Sequence, residues 1–330
     1  MKAVVLVGGE GTRLRPLTFT TPKPLLPVAG VPMLERILGH LVANGITEAV
    51  LSMGYRPDAI ESAYPDGVCG GVAITYAVEP EPLDTAGGVA FAARHAGLDS
   101  TFLVLNGDVL SDIDLTGLLA FHKARGAEAT IALTPVDDPS SFGVVPSDDE
   151  GRVTAFIEKP TRDEAPTNLI NAGYYVVEPS LVERIPAGRR VNIERETFPL
   201  LVADRTLYAL ASDDYWTDTG TPVLYLEANL HALAGTTWFG PGARVDTAGA
   251  AVSASAVGAR TTIGAGAEVI ESVLLDDVTV EPGARVQRSL IGARSVIGAD
   301  AVVEGLSVVG DGVRVAAGDR LVGSRVPEPA

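Results

Sequence analysis

Four residues of this chain carry charge of the kind that phosphate chemistry needs. Arg13 sits in a glycine-rich turn, Gly8-Gly9-Glu10-Gly11-Thr12-Arg13-Leu14-Arg15-Pro16-Leu17-Thr18, directly after an apolar run. Glycines in such a turn let the backbone approach a ligand closely and aim several N–H groups at one anion. The turn is not a Walker loop, since no Gly-Lys-Ser/Thr follows, and it lacks the third glycine of a dinucleotide fingerprint. Lys23 lies between Pro22 and Pro24, a setting that disfavours a helix or an inner strand and predicts an extended loop. Asp108 follows the apolar run Phe102 to Leu105, so it is expected at the carboxyl end of a strand, where open α/β sheets bind ligands. Asp218 stands in Tyr215-Trp216-Thr217-Asp218-Thr219-Gly220-Thr221-Pro222. Magnesium in phosphoryl chemistry is held by one or two carboxylates together with phosphate oxygens and water, so two separated aspartates are a suitable number.

The rest of the composition removes competing chemistries. A net charge of -17 argues against a general nucleic-acid or anionic-membrane binder, because both partners demand a basic surface. Positive charge is instead local: Lys2, Arg13, Arg15 and Lys23 face a single acid, Glu10, in the first 24 residues. One cysteine, Cys69, leaves neither a disulfide framework nor a cysteine-based zinc site, and a cytoplasmic location is expected. His40, His95, His122 and His231 lack ligand spacing. The short run Ala3 to Val7 is no signal peptide, and no stretch is long enough to span a bilayer.

Two kinds of element must position these residues. From residue 1 to about 234, Lys2 to Val7, Ala49 to Met53, Val72 to Val78 and Phe102 to Leu105 read as strands, with helices between the later ones. That pattern predicts an α/β domain with a doubly wound, mainly parallel sheet. One helix is plain: Pro32 suits its first turn, Leu34, Ile37, Leu38 and Leu41 form its apolar stripe, and Asn44-Gly45 stops it. After Gly235 the period changes to six. Aliphatic residues recur at Val245, Val257, Ile263, Val269, Leu274, Val280, Val286, Ile291, Ile297, Val303, Val309, Val315 and Leu321, with Ala251 in the remaining slot and single-residue slips after Val269 and Val286. A hexapeptide period predicts a parallel β-helix over 235–330, in which equivalent residues stack coil upon coil.

The glycine-rich turn and the Thr21-Pro22-Lys23-Pro24-Leu25 segment together resemble the sugar nucleotidyltransferases, or nucleotide-sugar pyrophosphorylases. The resemblance covers the first 234 residues and continues into the hexapeptide tail, for which it implies a left-handed β-helix. It implies that Leu6, Gly8, Gly9, Gly11, Thr12, Arg13, Asp84, Thr85 and Gly107 hold the nucleotide. Arg13 and Lys23 would neutralise the reacting and leaving phosphates, and Asp108 and Asp218 would share a Mg2+ ion. On the sugar side it implies Glu158 and Lys159 of Phe156-Ile157-Glu158-Lys159-Pro160, Asn171 and Gly173 of Asn171-Ala172-Gly173, and Arg195 of Val191-Asn192-Ile193-Glu194-Arg195-Glu196. The reaction so implied joins a nucleoside triphosphate to a sugar 1-phosphate. A phosphate oxygen attacks the α-phosphorus in line and pyrophosphate leaves. That nucleophile is already ionised near neutral pH, which agrees with the absence of a convincing catalytic triad.

Base choice turns on Glu79-Pro80-Glu81-Pro82-Leu83-Asp84-Thr85-Ala86-Gly87. A carboxylate at Glu79 can accept from guanine N1–H and the 2-amino group together, whereas uracil or thymine offers one donor between two carbonyls. GTP is therefore expected, with mannose 1-phosphate or a similar sugar or cyclitol phosphate as acceptor. Relatives of this kind usually carry glycine where this chain has Asp84. The alternatives are a thymidylyl- or uridylyltransferase acting on glucose 1-phosphate, and a non-catalytic regulatory subunit that binds a nucleotide sugar. An acyltransferase β-helix would need a histidine base, and none follows His231. The tail is expected to serve assembly or regulation, and homo-oligomers through the β-helix or a sheet edge are expected.

Overall fold

The computed structural model describes residues 1–329; Ala330 lies outside the described residues. The apolar run Ala3–Leu6 forms a central strand, parallel to Glu48–Met53 on one side and to Phe102–Asn106 on the other. Val72–Val78 adds a further parallel strand beside Glu48–Met53. Val4, Val5, Leu51, Leu103, Val104 and Leu105 are buried, as continuous apolar strands covered on both faces should be. All four expected strands form, with ends that differ by at most one residue. The sheet then turns antiparallel: Leu169–Val177 runs against both Phe102–Asn106 and Ala129–Pro135, and Leu207–Ala211 lies parallel to Ala129–Pro135.

The helix Met33–Ala43 begins one residue after Pro32 and buries Leu34, Ile37, Leu38 and Leu41. Gly45 ends the turn beyond it at φ 76°, a left-handed angle that glycine adopts without a Cβ penalty. By compactness the chain groups into two units. Met1–Gly9 and Leu34–Trp216 form one unit, and Glu10–Met33 joins the described residues from Thr217 onward in the other.

Within the second unit, short strands from Trp238–Phe239 to Arg325–Val326 stack in three parallel sheets of six, five and five strands, the architecture of a left-handed parallel β-helix. Val257, Ile263, Val269, Leu274, Val280, Val286, Ile291, Ile297, Val303, Val309 and Val315 fill its interior. One inward slot departs from expectation. Ala251 is exposed, and Val252 packs inward beside Val269, because a further slip separates it from Val245. Successive coils therefore place equivalent residues 17 or 18 positions apart.

Candidate active site

In the second unit, the segment of residues 10–25, which begins within the glycine-rich turn, does not run as an open loop. It folds into three single-turn 3-10 helices, Thr12–Leu14, Leu17–Phe19 and Lys23–Leu25, pinned by the buried side chains of Leu14 and Leu17. Thr18, also buried, donates its hydroxyl to the Gly11 carbonyl at 2.8 Å. Gly11 has φ 63°, and a Cβ there would come within 3.1 Å of Lys23 Cβ. The expectation of an extended loop at Lys23 is thus corrected. Pro22 caps a 3-10 turn and Pro24 occupies its second position, where no backbone N–H is needed.

Lys23 is 6% exposed, and its Nζ lies 3.9 Å from Asp218 Oδ1. Arg13 Nη2 lies 3.9 Å from Asp218 Oδ2. The Gly220 N–H donates to Asp218 Oδ1 at 2.7 Å and holds the carboxylate between the two cations. Gly220 itself makes the room, since a Cβ there would sit 2.4 Å from Arg13 Nη2. Arg13, which is well exposed, Lys23 and Asp218 are therefore brought together. Arg15 turns elsewhere, to Glu10 at 3.2 Å.

In the first unit, the strands Ala3–Leu6 and Phe102–Asn106 end side by side, with Gly8, Gly9 and Asp108 just beyond them. Gly107 N–H donates to the Leu6 carbonyl at 2.9 Å, and a Cβ on Gly107 would meet that oxygen at 2.5 Å. Only glycine lets the two strand ends close in this way and carry a half-buried Asp108 at their carboxyl end. Lys2 precedes the first strand and pairs with Glu48 at 3.1 Å, so it belongs to the opposite end of the strand from Gly8. Among the described residues no three His, Cys, Asp or Glu side chains cluster as an all-protein metal cage. A donor set limited to one or two aspartates suits magnesium held partly by phosphate oxygens.

Glu79 is engaged from within: its Oε1 accepts from the Ser52 hydroxyl at 2.8 Å and its Oε2 from Leu83 N–H at 2.9 Å. A carboxylate has about four lone-pair sites, so one on each oxygen is left for a ligand. Asp84 adopts φ 63°, the left-handed angle at which glycine is the easiest substitute. Its Oδ1 accepts from Thr85 N–H at 2.8 Å and from Asn192 Nδ2 at 3.3 Å. Thr85 Oγ1 in turn accepts from Ile193 N–H at 2.8 Å and donates to Glu194 Oε2 at 3.3 Å. The segment expected to read the base is therefore bonded to the segment expected to hold the sugar phosphate, a link between distant stretches that spacing alone does not reveal.

On the sugar side, Lys159 sits at φ 49°, an uncommon angle for a non-glycine residue, with its Nζ 3.4 Å from Glu158 Oε1. Asn171 donates to Tyr175 OH at 2.9 Å and accepts from Gly173 N–H at 2.9 Å, pinning an irregularity in the strand ladder between Asn171 and Tyr175. Gly173, at φ 77°, brings its backbone against Asn106. Arg195 is exposed on the π-helical turn Ile193–Thr197. Such turns recur at functional sites. Neither type nor spacing marks the neighbouring Glu194 in the sequence. Burial pushes its carboxyl above the ordinary glutamate range, and the nearby Glu158 and Asp84 charges push the same way.

A glycine turn at a strand end and a carboxylate flanked by two cations thus belong to an α/β domain followed by a β-helix. The chain belongs to the Nucleotidyl transferase family, whose description matches residues 2–235, and residues 233–328 match the GMPPB C-terminal domain. It is 42% identical over 295 residues to a mannose-1-phosphate guanylyltransferase of Mycobacterium tuberculosis, covering 85% of this chain and 81% of that protein. It is 44% identical over 243 residues to a mannose-1-phosphate guanyltransferase of Hypocrea jecorina, covering 72% of this chain and 65% of that protein's length. Among solved structures, HddC from Yersinia pseudotuberculosis, also determined in complex with GMP-PN, superposes with a TM-score of 0.60 at 26% identity, covering 70% of this chain and 99% of that one. A glucose-1-phosphate thymidylyltransferase from Bacillus anthracis, described as putative, superposes at 0.63 and 26% identity, covering 70% and 95%.

Proposed function

We propose that this chain transfers GMP from GTP to mannose 1-phosphate, forming GDP-mannose and pyrophosphate. The observation that carries the reading is the approach of Arg13 and Lys23 to Asp218, each at 3.9 Å, beside the glycine-rich turn. Two cations placed there stabilise charge building on the α-phosphorus and on departing pyrophosphate. The phosphate oxygen of the sugar 1-phosphate forms the new P–O bond as the bond to pyrophosphate breaks. No proton need move, because that oxygen is already ionised. Asp108 and Asp218 would hold Mg2+, which when bound neutralises phosphate charge and orients the oxygens. The Gly8, Gly9, Gly11 and Thr12 backbone would receive the triphosphate, with Leu6, Gly107, Asp84 and Thr85 beside the nucleoside. Glu79 would present its remaining lone pairs to guanine N1–H and the 2-amino group. Lys159, Glu158, Asn171, Gly173 and Arg195 would receive the sugar phosphate. The reading includes a cytoplasmic, homo-oligomeric enzyme; a monomer in light scattering would remove the oligomer.

Steady-state assays with each nucleoside triphosphate against mannose and glucose 1-phosphates test the reaction. GTP with mannose 1-phosphate is expected to give the highest kcat/KM, and turnover with dTTP far above GTP would end the guanylyl reading. Asp108→Asn is expected to stay folded and lose at least about a hundredfold in magnesium-dependent kcat, the scale of losing one electrostatic stabiliser. Unchanged activity would remove Asp108 from the metal site.

A further inference from the structure

The last coils of the β-helix lie against residues 13–20 of the segment that follows the first glycines, and both belong to the same compact unit. Arg325, in the final strand Arg325–Val326, points Nη1 at two backbone carbonyls of the turn, Arg13 O at 3.1 Å and Arg15 O at 3.4 Å. One coil earlier, Asp311 Oδ2 accepts from the Thr20 hydroxyl at 2.6 Å. Asp311 is itself fixed, with a side chain only 6% exposed, by Ala293 N–H on Oδ1 at 2.9 Å and by Arg294 on Oδ2 at 3.3 Å. Gly310 presents its backbone to Pro16 so closely that a Cβ would lie 3.0 Å from Pro16 Cβ.

We infer that Arg325 and Asp311 are positioning residues for nucleotide binding: the terminal coils of the β-helix hold the backbone of residues 13–20 in the form that presents Arg13. A carbonyl accepting from a guanidinium cannot rotate without losing a charge-assisted bond, and the carbonyl concerned is that of Arg13 itself. The peptide carrying the cation beside Asp218 is thereby tied at one end to the β-helix. Within the turn, buried Leu14 and Leu17 and the Thr18–Gly11 bond fix the apolar side. Arg325 and Asp311 fix its polar side. The β-helix then contributes to the nucleotide site directly, beyond any role in assembly. The inference rests on the proposed reaction for what the turn binds, though not for the contacts themselves.

The test uses the full chain. Arg325→Met removes both bonds while keeping the aliphatic stem, and Arg325→Lys restores one donor. Arg285→Met breaks a comparable exposed ion pair, to Glu268 at 2.8 Å, elsewhere on the β-helix. Arg325→Met is expected to raise KM for the nucleoside triphosphate about tenfold, the factor one charge-assisted hydrogen bond supports, with little change in KM for the sugar 1-phosphate. Arg325→Lys should recover part of this, and Arg285→Met should match the parent. In hydrogen–deuterium exchange without ligands, the Leu14, Arg15 and Phe19 amides, bonded within the turn, should exchange faster in Arg325→Met. This exchange reading separates failure of the inference from failure of the proposed reaction, because it needs no substrate. Unaltered exchange together with an unaltered triphosphate KM overturns the inference, and so does an equal effect from Arg285→Met. If Arg325→Met does not fold, Thr20→Val, at an exposed position, decides: the same selective rise in triphosphate KM supports the inference, and parental kinetics overturn it.

Discussion

Glu194 shows how a residue outside any recognised spacing enters the site. Its half-buried carboxyl bonds the Thr85 hydroxyl, and burial raises its pKa, with Glu158 and Asp84 adding like charge. For an acid whose folded pKa lies above its unfolded value, the folded state binds more protons in the interval between them, so stability falls as pH rises through that interval. The cost is absent below the ordinary glutamate range and fully present above the raised pKa. Glu194→Gln should therefore unfold at a higher temperature than the parent at neutral pH, and the gain should shrink as pH drops toward 4. Melting curves across that range check this; a gain independent of pH would mean that the carboxyl is not strained by its surroundings. Arg13 and Lys23 stand out by their glycine and proline settings, and Asp218 by the resemblance of its segment to the family; the structure brings the three side chains together. The Ser52 hydroxyl on Glu79 and the Asn192 amide on Asp84 are not legible in the sequence, because each depends on which strand end or turn comes to lie opposite, and chain spacing carries no such information.

At the scale of elements, hydrophobic period decided most of the architecture. The parallel strands and the Met33–Ala43 helix follow from runs and stripes whose burial is nearly complete. The β-helix follows from its six-residue period, which stacks equivalent residues coil upon coil. Its local irregularities escaped the period, as the exchange of Ala251 for Val252 shows, because a slip is visible only when the next coil sets the register. One polar feature of the coils is also set by register. Ser255, Ser272 and Ser289 stack at one corner, each fully buried. Ser272 Oγ accepts from Ser289 N–H at 3.2 Å and donates to the Ile270 carbonyl at 2.7 Å. Ser272→Ala leaves a buried N–H without its acceptor, which costs about 1–3 kcal/mol. Chemical denaturation should show that loss, whereas Arg285→Gln, which breaks an exposed pair, should be close to neutral. Equal effects would mean that the serine column contributes no more than a surface ion pair.

For the whole molecule, the telling fact is that Glu10–Met33 is grouped with the C-terminal residues although the chain reaches it first. Within that unit Tyr225 donates to the Pro27 carbonyl, and Asn229 Oδ1 accepts from Ala29 N–H at 2.8 Å. The Trp238 indole lies so close over Gly30 that a Cβ there would be 2.2 Å from the ring. Residues 222–233 and the start of the β-helix thus enclose Pro27–Gly30, while Asp311 and Arg325 hold the turn before it. A chain cut at 234 would lack Trp238, Asp311 and Arg325, three of these five partners. A chain ending at Ala234 should keep the sheet of the first unit, whose strands all precede that residue, and so retain a cooperative far-ultraviolet melting transition. It should expose residues 10–33 to limited proteolysis and bind nucleoside triphosphate at least about tenfold more weakly than the full chain, since the Arg13 carbonyl would lose its guanidinium partner. Calorimetric titration beside mass-spectrometric mapping of the first cleavage sites reads both outcomes. Parental affinity with no cleavage between residues 10 and 33 would show that the helix Pro222–Leu233 suffices to order the segment, and that the β-helix adds nothing to the nucleotide site.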